Sequence, residues 1–281
     1  MFSYLHNFHA GNFADIFKHT VLLDLLESLC KKDKPFTIID THAASGIYNL
    51  EDERLLKTAE AQNGILKLVN AAKALSTKSA FSLSPSLKKY LSFQEKFLSQ
   101  KKYAGSPAIE EAFLRKGDTL FLIEKHPQAL GEIKKNISKK AKILEADSFD
   151  ALKALVPPLV KRGLIFMDPS YEEEDDYKKV SFSLTQAMKK WNTCTIALWY
   201  PLLEKRKNER SQMLSALEDN AKIYLTGKEV FKSELILFDP KEMTDEGKAH
   251  MYGSGMLIIN APYMIKEKVE ETRLSLEKIL K

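Results

Sequence analysis

Gly163-Leu164-Ile165-Phe166-Met167-Asp168-Pro169-Ser170-Tyr171 decides how the rest of the chain is read. Leu164 to Met167 form an apolar run of strand length, bounded by Arg162-Gly163 before and Asp-Pro after. Pro169 lacks an amide donor and biases Asp168 toward an extended backbone, so strand pairing stops there. Such a strand delivers a carboxylate, a carbonyl and an aromatic ring to the carboxyl edge of a sheet, where open α/β sheets bind ligands. Chemistry on the exocyclic amine of a nucleobase needs this set. The lone pair of adenine N6 is delocalised into the ring and is a poor nucleophile. The Asp168 carboxylate and the Pro169 carbonyl can each accept one N6 hydrogen and aim that lone pair at an electrophile. Tyr171 can stack on the base once it has left its helix. Asp-Pro is also an ordinary strand-ending turn, so the flanking sequence has to decide.

Working outward, the same pattern recurs. Pro35-Phe36-Thr37-Ile38-Ile39-Asp40 is a buried strand running into a turn of small residues, Thr41-His42-Ala43-Ala44-Ser45-Gly46. Asp118 to Glu124 is a second strand and Ala141 to Asp147 a third, with helices expected between them. Four successive strands thus end in Asp40, Glu124, Asp147 and Asp168, the alternation of a parallel α/β sheet. No G-x-G-x-x-G follows the first strand, which counts against a standard dinucleotide fold. Glu124 follows Asp40 by 84 positions (124 − 40), where about 20 suffice in a dinucleotide-type unit. The excess matches residues 50–102, which are rich in Lys, Leu, Ala and Ser with helical spacing. This segment reads as a helical insertion between strands one and two, with Leu75 to Ser79 as an internal loop. Lys88, Lys89 and Lys96 give it a basic cast suited to RNA. The expected organisation is a main domain over 1–49 and 103–281, with a separable helical subdomain over 50–102.

Before the first strand, Tyr4-Leu5-His6-Asn7-Phe8-His9 is too polar for a core strand yet holds aromatics and histidines. Asn12 reads as an N-cap, and Ile16, Val21, Leu22, Leu25, Leu26 and Leu29 mark a helix from about 13 to 30. His6 and His9 could pair on a metal, but no third ligand follows at suitable spacing, and no metal is expected. Further on, Ser106 reads as an N-cap with Pro107 at the first helical position. The last third continues as helix (178–191), strand (193–200) ending at Pro201, helix (206–220), two strands that can pair antiparallel (233–238 and 255–260) and a terminal helix (266–281). A polar loop is expected over 244–254.

Composition sets outer bounds. The 281 residues are 44% hydrophobic and 29% charged, which fits a folded globular chain. The net charge of +5 is compatible with a polyanionic partner without requiring one. Two cysteines, Cys30 and Cys194, build no disulfide or metal framework. No signal peptide or membrane span is apparent, so a cytoplasmic protein without membrane contact is expected, acting as a monomer.

The chain resembles the bacterial ribosomal RNA large-subunit methyltransferase J family, which methylates N6 of adenine 2030 in 23S rRNA. The resemblance rests on Tyr4 to Asp15, Lys18-His19-Thr20, Asp33 to Phe36, Asp40-Thr41-His42-Ala43, Gly105-Ser106-Pro107, Glu124 to Pro127, Asp168 to Glu172 and Ala197 to Pro201. It implies a Rossmann-like class I methyltransferase sheet using S-adenosylmethionine. The implied cofactor contacts are His19, His42, Ser106, Glu124 (ribose hydroxyls), Asp147 with Ser148 (adenine) and Asp168. Asp168 is the implied catalytic residue. Tyr4, His6, Lys18, Pro169 and Tyr171 are expected to face the RNA, with Lys18 available to a phosphate. Two departures stand out. Ala44 and Ser45 occupy a turn that often carries Gly, and Ser170 replaces the second proline of the more common Asp-Pro-Pro-Tyr. Rival readings are a non-catalytic RNA-binding protein, a nicotinamide oxidoreductase and an adenine-N6 methyltransferase acting on another RNA or on DNA.

Overall fold

A computed structural model describes residues 5–78, 82–225, 229–242 and 251–281. A 3-10 turn (His6–Phe8) leads into helix α1 (Phe13–Cys30), then strands β1 (Thr37–Asp40) and β2 (Ile47–Asn49). Next come α2 (Glu53–Thr58), a π-helical turn (Gln62–Leu66), α3 (Lys67–Lys78), α4 (Pro85–Leu98) and β3 (Lys102–Ala104). The alternation follows as α5 (Ser106–Ala112), β4 (Thr119–Glu124), α6 (Pro127–Asn136), β5 (Lys142–Glu145), α7 (Ser148–Leu155), β6 (Gly163–Met167), α8 (Glu174–Lys190) and β7 (Thr195–Leu202). The chain ends through α9 (Lys207–Tyr224), β8 (Val230–Ile236), β9 (Gly253–Ile259) and α10 (Ile265–Leu280).

Seven strands form one sheet in the order β5-β4-β1-β6-β7-β9-β8. The first five are parallel, and β9 joins β7 and β8 antiparallel. From β1 the chain steps outward to β4 and β5, then returns to β6 on the other side of β1. The direction of travel reverses there, so right-handed crossovers place α5 and α6 on one face and α7 and α8 on the other. The loops leaving β1 and β6 diverge and open a crevice at their carboxyl ends. Asp40 lies opposite Phe166 in register, so Asp168 stands two residues beyond it at the same edge. The strands are tightly apposed: a Cβ built on Gly163 would meet the Thr37 carbonyl at 1.9 Å, so only glycine fits.

The insertion lies between β1 and β4 as expected, and it is tied into the rest. Its ends, β2 and β3, pair as an antiparallel ribbon that the sequence reading missed. Three-residue strands are too short to show alternation. The Gln94 side chain donates to the Ala104 carbonyl (2.8 Å) and accepts its amide (3.0 Å), doing for β3 what a third strand would do. The insertion also grips the opening segment. Thr58 Oγ1 donates to the Phe8 carbonyl (2.6 Å), Asn12 Nδ2 to Glu60 (2.8 Å) and the Ile65 amide to the Gly11 carbonyl (2.8 Å). Gly64 permits this, since a Cβ there would lie 2.1 Å from the Gly11 oxygen. Leu55, Ile65, Leu87 and Tyr90 are buried in the same core cluster as the sheet.

Several boundaries differ from the reading. Leu75 to Lys78, expected in a loop, belong to α3, and Ser79 lies outside the described residues. Helix α8 starts at Glu174, four residues early, because Asp176 accepts the Glu173 amide (3.0 Å) and three acids occupy its positive end. Strand β7 passes through Pro201 to Leu202. Its pairing with β6 ends at Leu198, so the missing amide of Pro201 faces an unpaired side. Of the expected 244–254 loop, residues 244–250 lie outside the described residues and Gly253-Ser254 belong to β9. Among the described residues no helix is long and apolar enough to cross a membrane.

Candidate active site

The site begins with α1. Asn12 caps it, its side chain accepting the Asp15 amide at 2.9 Å. Nearly every residue from Ala14 to Leu26 is buried, so polar groups in this helix must find partners inside the protein. They find one another and the end of β6. Lys18 Nζ lies 2.7 Å from Asp15 Oδ1 and 2.5 Å from Asp168 Oδ2, with the lysine only 3% exposed. Asp15 Oδ2 meets His6 Nε2 (2.9 Å) and accepts the Gly11 amide (2.8 Å). Burial alone would discharge Asp15, but His6 and Lys18 hold its carboxyl well below the usual range. Burial likewise opposes the Lys18 charge, yet the two carboxylates raise its pKa above the ordinary value. At Asp168 burial wins by a margin, raising the carboxyl against the pull of Lys18.

Two hollows meet at Asp168. The first, about 230 Å³, is lined by His19, His42, Ser106, Glu124, Asp168 and Ser170 among others. A side hollow of about 210 Å³ continues it past Glu124 to Asp147, Ser148 and Pro169. The second, about 980 Å³, opens on the other side and is lined by His6, Lys18, Asp168, Trp199 and Phe238 among others. His6, Lys18, Asp168 and Ser170 line both and form the partition.

The first hollow thus gathers five of the seven residues expected at the cofactor, and its side hollow the other two, Asp147 and Ser148. Glu124 Oε1 accepts the amides of Lys125 (2.8 Å) and His126 (2.6 Å), which fixes its carboxylate; burial still raises its pKa. Asp147 caps α7 through the Phe149 amide (3.1 Å). His19 Nδ1 bonds the Tyr103 hydroxyl (2.8 Å), itself 2.9 Å from that of Tyr90. Burial lowers His19 to about 3 and His42 to about 4, so both rings are neutral near pH 7. Ala44 holds a left-handed backbone (φ 49°), the conformation that makes glycine the easier residue in this turn.

Four expectations, on Ser106, Lys18, Tyr171 and Tyr4, need correction or limit. Ser106 does not cap α5; Gly105 is the cap residue, and Ser106 Oγ donates instead to buried Asp40 at 2.7 Å. Lys18 extends no free ammonium toward a phosphate, because two carboxylates hold it. Tyr171 offers no face to a base: it is 3% exposed, packs on Tyr177 (centroids 4.6 Å) and donates to the Trp199 carbonyl (3.0 Å). Its left-handed backbone (φ 52°) is what swings the ring inward. Tyr4 lies outside the described residues. His6 and His9, weighed as a metal pair, face separate carboxylates, Asp15 and Glu60.

The reading missed Asp15 and Trp199. A signal existed for Asp15. It stands with Lys18 and His19 in a helix whose other residues are largely apolar, and such groups need internal partners. Trp199 lines the larger hollow with Lys18 Nζ 5.1 Å from its ring, and its indole N–H donates to Ser254 Oγ (2.8 Å). Nothing local to Trp199 announces that place.

Five parallel strands, a reversal beside β1 and an antiparallel seventh strand inserted between the fifth and sixth define a Rossmann-like methyltransferase sheet of class I. Residues 33–280 match the family model described as "Ribosomal RNA large subunit methyltransferase D, RlmJ". Two relatives named ribosomal RNA large subunit methyltransferase J are similar along almost the whole chain. The one from Escherichia coli (strain K12) is 35% identical, covering 96% of this chain and 90% of its own. The one from Haemophilus influenzae (strain ATCC 51907 / DSM 11121 / KW20 / Rd) is 33% identical, covering 100% and 94%. A crystal structure of a Legionella pneumophila str. Philadelphia 1 protein superposes with a TM-score of 0.81 at 31% identity, covering 97% of this chain and 94% of that one. The chain belongs to this ribosomal RNA large subunit methyltransferase family.

Proposed function

We propose that the protein transfers a methyl group from S-adenosylmethionine to N6 of adenine 2030 in 23S ribosomal RNA. The observation that carries the reading is the position of Asp168 in the partition between two hollows, with donor-side acids on one side and aromatic and cationic groups on the other. S-adenosylmethionine supplies a methyl on a sulfonium, already a good electrophile with a neutral leaving group. The residues present suit it. Glu124 and Asp147 can take ribose and adenine donors, and neutral His19 and His42 do not repel a cationic sulfur. On the acceptor side, Asp168 Oδ accepts an N6 hydrogen, orients the lone pair and formally takes the proton released. The Pro169 carbonyl is the proposed partner for the second hydrogen, although Pro169 lines the side hollow of the donor half and not the larger hollow. Lys18 fixes the Asp168 carboxylate and Asp15 fixes Lys18, so proximity and alignment carry most of the rate. His6 and Tyr4 remain the proposed base contacts from the opening segment.

The test is methyl transfer from labelled donor to total RNA lacking the modification, with mapping of the product base. Label at N6 of adenine 2030 is the expected result. Label on another base, or on DNA in preference to RNA, overturns the assignment.

A further inference from the structure

The larger hollow holds two aromatic rings to which the mechanism gives no task. Phe13, the first residue of α1, and Phe238, just beyond β8, meet edge to face with centroids 6.1 Å apart and planes at 72°. Both line the hollow that reaches Asp168 and Trp199. Phe238 remains 43% exposed, while Leu235 and Leu237 before it are buried. A phenyl ring held in water at the mouth of a groove forgoes the gain its burial would bring. Trp199 is a fixed wall, one contact being the Lys18 ammonium and another the Ser254 hydroxyl. On the rim, exposed Lys67 donates to a neutral acceptor, the Leu280 carbonyl (2.8 Å). Aromatic steps beside ammonium groups are how single-stranded nucleic acid is held. Drawing one base out of a stack also strips its neighbour of a partner, and that neighbour gains from a replacement surface.

We infer that Phe238, braced by Phe13, is the stacking step for the nucleobase adjoining the methylated adenine, and that Lys67 receives the adjacent phosphate. The inference rests on the proposed RNA methylation, and the experiment separates the two. Wild-type protein is first assayed on an unmodified 23S RNA fragment carrying the mapped adenine; no methylation there would sink the function itself. With methylation established, Phe238→Ala is expected to raise KM for the fragment about five- to 150-fold, the range for losing one base stack. Donor affinity, measured by calorimetry, and kcat should stay within about twofold, since the side chain does not line the donor-side hollow. Phe238→Trp should restore KM, and Phe238→Leu should not. Replacing the nucleotide on one side of the adenine by an abasic one should bring wild type to the level of Phe238→Ala and cost the variant nothing further. Unchanged KM in Phe238→Ala, full rescue by leucine, or additive losses with both abasic fragments would overturn the inference. So would a defect seen on ribosomal particles and absent on the naked fragment, which would make the partner a protein.

Discussion

Asp40 and Asp168 stand at the ends of neighbouring parallel strands, Asp40 fully buried and Asp168 largely so, yet their surroundings differ. Asp40 receives only neutral donors, the Ser106 hydroxyl (2.7 Å) and the His42 amide (3.0 Å). Buried Glu110 lies near it and is pushed well above the usual carboxyl range, by burial first and by the Asp40 charge second. Burial raises Asp40 to about 7. Asp168 instead faces an ammonium that a second carboxylate holds in place. Neutral donors orient a buried carboxylate without keeping it charged. A buried ammonium opposes discharge but ties the carboxylate to one geometry. The first arrangement suits a group that shapes the turn beside a cofactor. The second suits one that must receive hydrogen bonds from an amine.

Removing the carboxylate itself should produce the largest effect. Asp168→Ala is expected to lower single-turnover methyl transfer by about 10² to 10⁴-fold, the range for a positioned proton acceptor. Asp168→Asn should retain more activity because it can still accept one hydrogen. A rate near wild type in the alanine variant would reduce Asp168 to the same orienting role as Asp40. Breaking its partner comes next. Lys18→Met removes the ammonium from Asp168 and leaves Asp15 only His6 and the Gly11 amide, and urea denaturation should show a loss of about 3–5 kcal/mol. A stable, active Lys18→Met variant would erase the distinction between the two aspartates.

Smaller effects sharpen the comparison from the donor side. Glu124→Ala should weaken S-adenosylmethionine binding by about 1.5–3 kcal/mol in calorimetry, the worth of a charge-assisted hydrogen bond. Unchanged affinity would move the ribose contact elsewhere. For Asp40 the folded pKa of about 7 exceeds the ordinary 3.8, so the native state keeps a proton that the unfolded chain has lost. Its contribution to stability is therefore present below about pH 4 and is lost as pH rises toward 7, at up to about 1.4 kcal/mol per pH unit. Subtracting the pH–stability profile of Asp40→Asn from that of wild type should isolate this slope. A flat difference would mean that the surrounding donors hold Asp40 ionised.

Much of this frame was legible in the residues. Strand ends at Asp40, Glu124 and Asp168, the helical insertion after the first strand and the antiparallel end all follow from local rules. Apolar runs of strand length stop at acids and prolines, and helices alternate with them. Asp147 was placed one step too early, as a strand end; it caps α7 two residues beyond β5. The short ribbon of β2 and β3 escaped because three residues carry no period. Tyr171 was misread because its backbone conformation, which decides where the ring points, has no signature in an Asp-Pro-Ser-Tyr string. The sequence shows Lys18 as a charge in a largely apolar helix, but not that two carboxylates hold it.

The sequence by itself determined the order of elements and the residue types delivered to the carboxyl edge of the sheet. Both depend on hydrophobic period, capping and breaking, which act over a few positions. Only the tertiary structure decided which of those residues touch. The contact between Lys18 and Asp168 spans 150 positions, and that between Ser106 and Asp40 spans 66. Such contacts depend on how α1 and α5 settle against the sheet. Burial then sets the energetic terms: a carboxylate removed from water must find an ammonium, find neutral donors or take up a proton, and packing alone determines which of these is within reach.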